Sequence, residues 1–192
     1  MDLKGKRIGF AMCGSFCTFR RVLQQLEVLA SYGADITPIM SGVAYSTDTR
    51  FGSAETFRKK IEEITKKPII STVAEAEPIG PQALLDILII APATGNTLAK
   101  LATGVCDSSV TLAAKAHLRN SRPVLLAVST NDGLGNAAKN IGLLLNAKNV
   151  FFVPFGQDDF ENKPNSLVAD MTQIPEACKM ALEFKQLQPI LC

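Results

Sequence analysis

Two turns in the sequence pair a glycine with a hydroxyl just after an apolar run: Cys13-Gly14-Ser15 follows Arg7 to Met12, and Ser41-Gly42 follows Asp35 to Met40. A turn of this kind opening a helix can hold one phosphate through backbone amides and a hydroxyl, and it is equally the form of an ordinary strand-to-helix connection. A third loop, Ala91-Pro92-Ala93-Thr94-Gly95-Asn96-Thr97, combines small residues with two hydroxyls and one amide side chain. Small residues let a flat ring approach the backbone. Asn96 can donate and accept at once, which suits the edge of a heterocycle, while capping of the next helix competes for its side-chain oxygen. No general acid or base is evident, and Asn96 is the candidate for a group at the reacting atoms.

What is missing narrows the chemistry. A dinucleotide fingerprint needs three glycines so that backbone can approach a pyrophosphate, and only Gly14 stands in the first turn. No Gly-Lys-Ser/Thr phosphate loop occurs, so an NTPase is unsupported. The single histidine, His117, falls within the apolar pattern Leu112, Ala113, Ala116, Leu118, which makes a packed imidazole at a helix end a better expectation than a Ser-His or Cys-His mechanism. The cysteines Cys13, Cys17, Cys106, Cys178 and Cys192 are odd in number and scattered, so they read as reduced thiols, and no metal site is expected.

The elements that must position these loops follow from hydrophobic periodicity. Strands are expected at Arg7 to Met12, Asp35 to Met40, Pro68 to Thr72, Leu84 to Ala91, Pro123 to Val128 and Val150 to Val153. Between them, Phe19, Val22, Leu23, Leu26 and Leu29 recur at helical spacing, as do Ala54, Phe57, Ile61 and Ile64 behind a capping Ser53. Further helices are expected at Thr97 to Ala102, Ser108 to Arg119, Ala137 to Asn146 and residues 174–187. Alternation of this kind implies one α/β domain of three layers over residues 1–192, with a mostly parallel six-stranded sheet. Ligands then bind beyond the carboxyl ends of the strands, at Cys13 to Cys17, Met40 to Ser46, Ala91 to Thr97 and Ser129 to Asn136. Residues 155–170 are too polar for core and long for a connection, so a surface lid or partner contact is expected there.

A chain of 192 residues that is 47% hydrophobic has ample material for one core. Its 20 Lys and Arg against 18 Asp and Glu leave no electrostatic footprint for nucleic acid or an anionic membrane. The longest apolar runs fall far short of the roughly 20 residues that span a bilayer, and no stretch reads as an export signal. A cytoplasmic protein is expected.

The segment from Ala91 to Lys100, followed by Gly104 and Asp107, resembles the PASANT signature of the homo-oligomeric flavin-containing Cys decarboxylases and related FMN flavoproteins. Thr94 and Gly95 stand where that family carries Ser and Ala, and the likeness extends over essentially the whole chain. The resemblance implies a Rossmann-like flavoprotein fold, a homo-oligomer, and FMN with its phosphate at Gly14, Ser15 and Ser41. Its isoalloxazine would lie against Ala93, Thr94 and Asn96, with Ser129 and Thr130 closing another side. The family's catalytic histidine has no counterpart in Ser46 to Gly52, which leaves a decarboxylase of the phosphopantothenoylcysteine type as the alternative expectation only. The tract Val153 to Asp159, with Lys163 to Leu167, is similar to a branch whose members are one subunit of an oxidoreductase forming a pyridine dicarboxylate in sporulating bacteria. That similarity implies a partner subunit carrying NADP, a hydroxylated ring dicarboxylate as substrate and the mother-cell cytoplasm as location; a non-catalytic scaffold subunit is the remaining alternative. Arg20, Arg21 and Arg50 are available to balance substrate carboxylates or the FMN phosphate, or are solvated surface charge.

Overall fold

Apolar runs of strand length, each followed by an amphipathic stretch, set the architecture. The computed structural model describes residues 2–192. β1 (Arg7–Met12) is buried from Ile8 onward, and α1 (Phe19–Ser31) lays Phe19, Val22, Leu26 and Leu29 against the sheet. β2 (Asp35–Met40) returns parallel to β1, with Ile8 opposite Ile36 and Met12 opposite Met40. Three helices fill the next crossover: α2 (Gly42–Ser46), α3 (Ala54–Thr65) and α4 (Val73–Ala76). β3 (Ile87–Ala93) is buried at every residue, as a central strand covered on both faces must be. α5 (Gly95–Thr103) and α6 (Ser109–Arg119) lead to β4 (Val124–Thr130), α7 (Asn136–Leu145) and β5 (Val150–Phe152). β6 (Phe155–Gly156), β7 (Leu167–Ala169) and α8 (Ile174–Leu182) complete the chain.

The sheet has seven strands in the order β2-β1-β3-β4-β7-β6, with β5 also on β4. β4 divides its outer edge between two partners: Val124 to Leu126 pair in parallel with β5, and Ser129 and Thr130 pair antiparallel with β7. A contiguous apolar cluster runs through all layers, from Leu3 to Ala181.

Three expectations are corrected. The strand expected at Pro68 to Thr72 is a single bridge between Ile70 and Ile39, because Pro68 has no donor and Thr72 already caps α4 in a capping box with Glu75. Residues 155–170 are not a plain polar loop: their ends form β6 and β7, with Phe155, Ser166, Leu167 and Ala169 buried, and only the turn between them is largely exposed. These two short strands, less the lost one, turn the expected six into seven. The last helix stops at Leu182 rather than 187, where Phe184 takes a left-handed backbone at φ 57°.

The exposed flanks of the sheet are each occupied. On the outer side of β2, Met40 N–H donates to the Ile70 carbonyl at 2.9 Å and Ile70 N–H to the Pro38 carbonyl at 3.0 Å. Pro38 therefore sits on an edge strand with its missing donor facing outward, where nothing requires it. The Gln186 amide grips Phe152 in β5, accepting from its N–H at 2.8 Å and donating to its carbonyl at 2.7 Å. Against β6, Phe155 N–H donates to the Ile190 carbonyl at 3.0 Å.

At the amino ends of the strands, Asp86 accepts from the Arg7 backbone at 3.0 Å and from the Arg7 guanidinium, and Arg122 lies at 3.6 Å. His117 is 1% exposed and donates its Nε2–H to the Pro123 carbonyl at 3.1 Å. Burial drives its pKa down to about 4, so it is a neutral packing residue.

Candidate functional site

The carboxyl ends of β1 to β4 lie side by side, and caps and cross-loop bonds hold the loops that leave them. After β1, the Ser15 N–H turns back to the Cys13 carbonyl at 2.8 Å, and the Ser15 hydroxyl bonds the hydroxyl of Ser129, near the end of β4, at 2.8 Å. Residues 114 apart in sequence are thus tied by one short contact. After β2, Ser41 caps α2 by accepting from Ala44 N–H at 3.3 Å, and Ser109 at the start of α6 donates to the Met40 carbonyl at 2.6 Å. After β3, Thr94 caps α5, accepting from Thr97 N–H at 3.4 Å. The cap leaves the Asn96 side chain exposed in the first turn, with no hydrogen bond to a described residue. Capping, the role that competed for Asn96, is performed by Thr94.

Two of the hollows between these loops adjoin the Gly14 turn. The first, about 400 Å³, is lined by Cys13, Gly14, Ser41, Thr94, Asn96, Lys100 and Ser108 among others. The second, about 370 Å³, is lined by Gly14, Ser15, Phe16, Cys17, Thr49, Phe51 and Thr94, and by Gly95, Ser129 and Thr130. Both volumes fall in the usual range of small-molecule sites. Gly14 and Thr94 belong to both, so the two are lobes of one cleft. The Gly14 turn and Asn96 face the same open space.

Of the residues singled out in the sequence, Gly14, Ser41, Thr94 and Asn96 share the first lobe, and Gly14, Ser15, Thr94, Ser129 and Thr130 share the second. Ala93 lines neither; it is fully buried at the end of β3, beneath the loop. The fold adds lining residues that turn chemistry alone does not pick out. Lys100 holds both oxygens of Asp107 at 2.8 Å and lends the first lobe a cation, and Ser108 joins it from the cap of α6. Phe16 and Phe51 give the second lobe aromatic walls. The spacing of Lys100 and Asp107 is a readable signal; the direction in which Phe51 faces is not.

The lobes differ in chemistry. The first offers hydroxyls and one ammonium beside a glycine turn, a set that suits a phosphate or a polyol. The Cys13 thiol on its wall is 1% exposed, and burial pushes its pKa up to about 11, so it stays a protonated thiol there. The second is a slot between aromatic rings and a small-residue loop, which suits a flat ring. Two glycines keep the cleft open. A Cβ on Gly14 would lie 3.3 Å from Val43 Cγ1 and 3.5 Å from the Phe16 ring, on the wall shared by both lobes. At Gly95 a Cβ would lie 2.6 Å from Thr130 Oγ1 and 2.9 Å from the Asp132 carboxylate, so the pair Thr130 and Asp132 excludes a side chain there. That clash is the physical reason for glycine where the PASANT pattern has alanine.

A model of the flavoprotein family matches residues 1–177 of the chain. Over 190 residues the chain is 50% identical to the B-subunit of dipicolinate synthase from Bacillus subtilis (strain 168), covering 99% of this chain and 95% of that one. The crystal structure of the corresponding dipicolinate synthase subunit from Bacillus halodurans superposes with a TM-score of 0.92 at 46% identity, over 100% of this chain and 98% of the other. An FMN-dependent cysteine decarboxylase, SpaF, shares the fold with a TM-score of 0.67 at 21% identity, over 95% and 98% of the two chains.

Proposed function

Because the chain belongs to the flavoprotein family, and is a homologue of the dipicolinate synthase B-subunit, we propose that its cleft holds FMN and that it acts as one subunit of a dipicolinate-forming oxidoreductase. The observation that carries this reading is the continuity of a polar lobe and an aromatic lobe across Gly14 and Thr94. That shape fits a ring joined through a short polyol to a single phosphate. In this reading Ser41, Ser108, Lys100 and the Gly14 turn hold the phosphate end, and Phe16, Phe51, Thr94, Gly95, Ser129 and Thr130 enclose the ring. Asn96, exposed and unbonded on the first lobe, is free to face the chain between them. A bound flavin would supply a two-electron acceptor at the open face of the second lobe.

Formation of dipicolinate from a hydroxylated tetrahydrodipicolinate removes one water, and then a hydride and a proton. The chain's own residues are suited to binding and exclusion of water; Cys13 remains protonated and His117 lies at the opposite end of the sheet, so neither is assigned a proton-transfer step. We assign NADP to a partner subunit, a homo-oligomeric state to this one, and the mother-cell cytoplasm as their place. The decarboxylase alternative finds no histidine on the cleft.

The test has two stages. Titration of the purified chain with FMN, followed by flavin fluorescence quenching, is expected to saturate at one FMN per chain; no saturation would remove the cofactor. Co-purification with the NADP-binding partner and an assay of dipicolinate formation with and without FMN then separates a redox subunit from a scaffold. A rate raised by this chain equally in both conditions would assign it the scaffold role.

A further inference from the structure

A third hollow, about 580 Å³, opens beside the aromatic lobe and shares Phe16, Cys17 and Phe51 with it. It shares no residue with the polar lobe, so the three lie in the order polar, aromatic, third. Its charge is one-sided. Arg20 and Arg21 enter from the first turn of α1 and Arg50 from the loop before α3, and no carboxylate lines it. Arg7, Arg58 and Arg122 are each held by a carbonyl or carboxylate, whereas these three guanidiniums make no hydrogen bond to a described residue. The Asp170 carboxylate feels the Arg21 charge but makes no ion pair with it, and its oxygens accept from Thr172 and Gln173.

Three like charges gathered on one concave wall repel one another, and none of them forms an ion pair with a described residue; the Asp170 charge near Arg21 and the Phe51 ring beside Arg50 offset them only in part. Beneath them lies an aromatic stack: Phe16 and Phe19 at 5.1 Å, Phe19 and Phe57 edge-on at 4.9 Å, with the Arg50 guanidinium 4.9 Å from the Phe51 ring centre. Guanidiniums bind carboxylates through paired, parallel hydrogen bonds, and aromatic walls accept a flat ring.

We infer that this hollow binds a six-membered ring bearing two carboxylates, with Arg20, Arg21 and Arg50 on the carboxylates and the ring against Phe16 and Phe51. The inference rests on the dipicolinate reading above for the identity of the ring. It adds a place: beside the slot assigned to the flavin ring, and remote from the lobe assigned to its phosphate. The arginines thus belong to the substrate and not to the cofactor.

Pyridine-2,6-dicarboxylate itself is the probe, titrated calorimetrically into the purified full chain in metal-depleted buffer, since the probe chelates divalent cations. Saturable binding is expected, at least about tenfold tighter than that of pyridine-2-carboxylate, because the second carboxylate engages a further guanidinium. Arg20→Gln and Arg50→Gln are each expected to weaken it by about tenfold, with FMN affinity, read by fluorescence quenching on the same proteins, unchanged. Arg50 lies on a loop, so its variant tests the idea even if a change in α1 perturbs folding. Absence of saturable binding, equal affinity for the monocarboxylate, or arginine variants that bind as the parent does would each overturn the inference. Loss of FMN affinity in the variants would also overturn it, by returning the arginines to the cofactor. A parent chain that ignores FMN yet binds the dicarboxylate through these arginines would remove the cofactor reading and leave this one standing.

Discussion

The two ends of the parallel sheet use polar residues in opposite ways. At the amino ends, Asp86 is wrapped by Arg7 and Arg122, and His117 is spent on the Pro123 carbonyl. Burial raises the Asp86 carboxyl, but the Arg7 bonds and the two nearby guanidiniums more than reverse this and hold it below the usual carboxylate range. At the carboxyl ends, the Asn96 amide and the guanidiniums of Arg20, Arg21 and Arg50 face open hollows with no hydrogen bond to a described residue, beside hydroxyls that cap helices or bond one another. A polar group satisfied by the fold serves stability, and one left unsatisfied on a concave wall is available for a ligand. The separation predicts that changes at one end alter folding without altering binding, and that changes at the other do the reverse.

The largest expected effect is at the satisfied end. The pKa of His117 is lowered from 6.5 to about 4 on folding. The unfolded chain therefore takes up a proton that the native one refuses, and stability is full above the unfolded value and falls as pH drops from about 6.5 to about 4. The loss approaches about 3 kcal/mol at the low end. Urea unfolding at a series of pH values should show this slope, and His117→Gln, which keeps a donor for Pro123, should flatten it. Next in size, Gly14→Leu fills the wall common to both lobes and should weaken FMN binding on the order of a hundredfold, with unfolding unchanged. An affinity near that of the parent would mean that the two lobes do not act as one cleft. Asp86→Ala strands the Arg7 guanidinium and its backbone amide; because the pair is partly exposed, the expected cost is about 2 kcal/mol in the same urea assay, with FMN affinity preserved. The smallest effect is at the polar lobe: Lys100→Gln should reduce FMN affinity by about fivefold, less so at high salt, since one of several contacts to a phosphate is lost. A reduction confined to stability would place Lys100 with the structural residues.

Strands buried on both faces were legible because burial leaves a continuous apolar run, as in Ile87 to Ile90. β6 was not, since two residues carry no periodicity and its pairing to β7 spans a tract whose middle is polar. Pro68 to Thr72 misled for the converse reason: its composition is that of a strand, but one bridge at Ile70 is all the edge of β2 accepts. The rim loops were readable from turn chemistry, and Gly14, Ser41, Thr94 and Asn96 do share one lobe. Which side chains on flanking helices face that lobe depends on how α5 and α6 pack. Ser108 therefore emerges only in three dimensions, Lys100 is readable as a partner of Asp107 but not as a lining residue, and Ala93 withdraws beneath the loop. The arginines at 20, 21 and 50 were visible as charges, yet their meeting in one hollow depends on the loop before α3 folding back over α1.

The occupied flanks of the sheet have a bearing on how the protein behaves when crowded. A foreign strand can add to a sheet only where a row of amides and carbonyls stands open. Here the Ile70 bridge and a donorless proline interrupt one side, and on the other a glutamine side chain takes the place of a strand along Phe152 while Ile190 closes Phe155. Copies of the chain made at high level are thereby denied a template for edge-to-edge aggregation, so the folded protein should stay dispersed at concentrations where an open-edged sheet of similar hydrophobicity would precipitate.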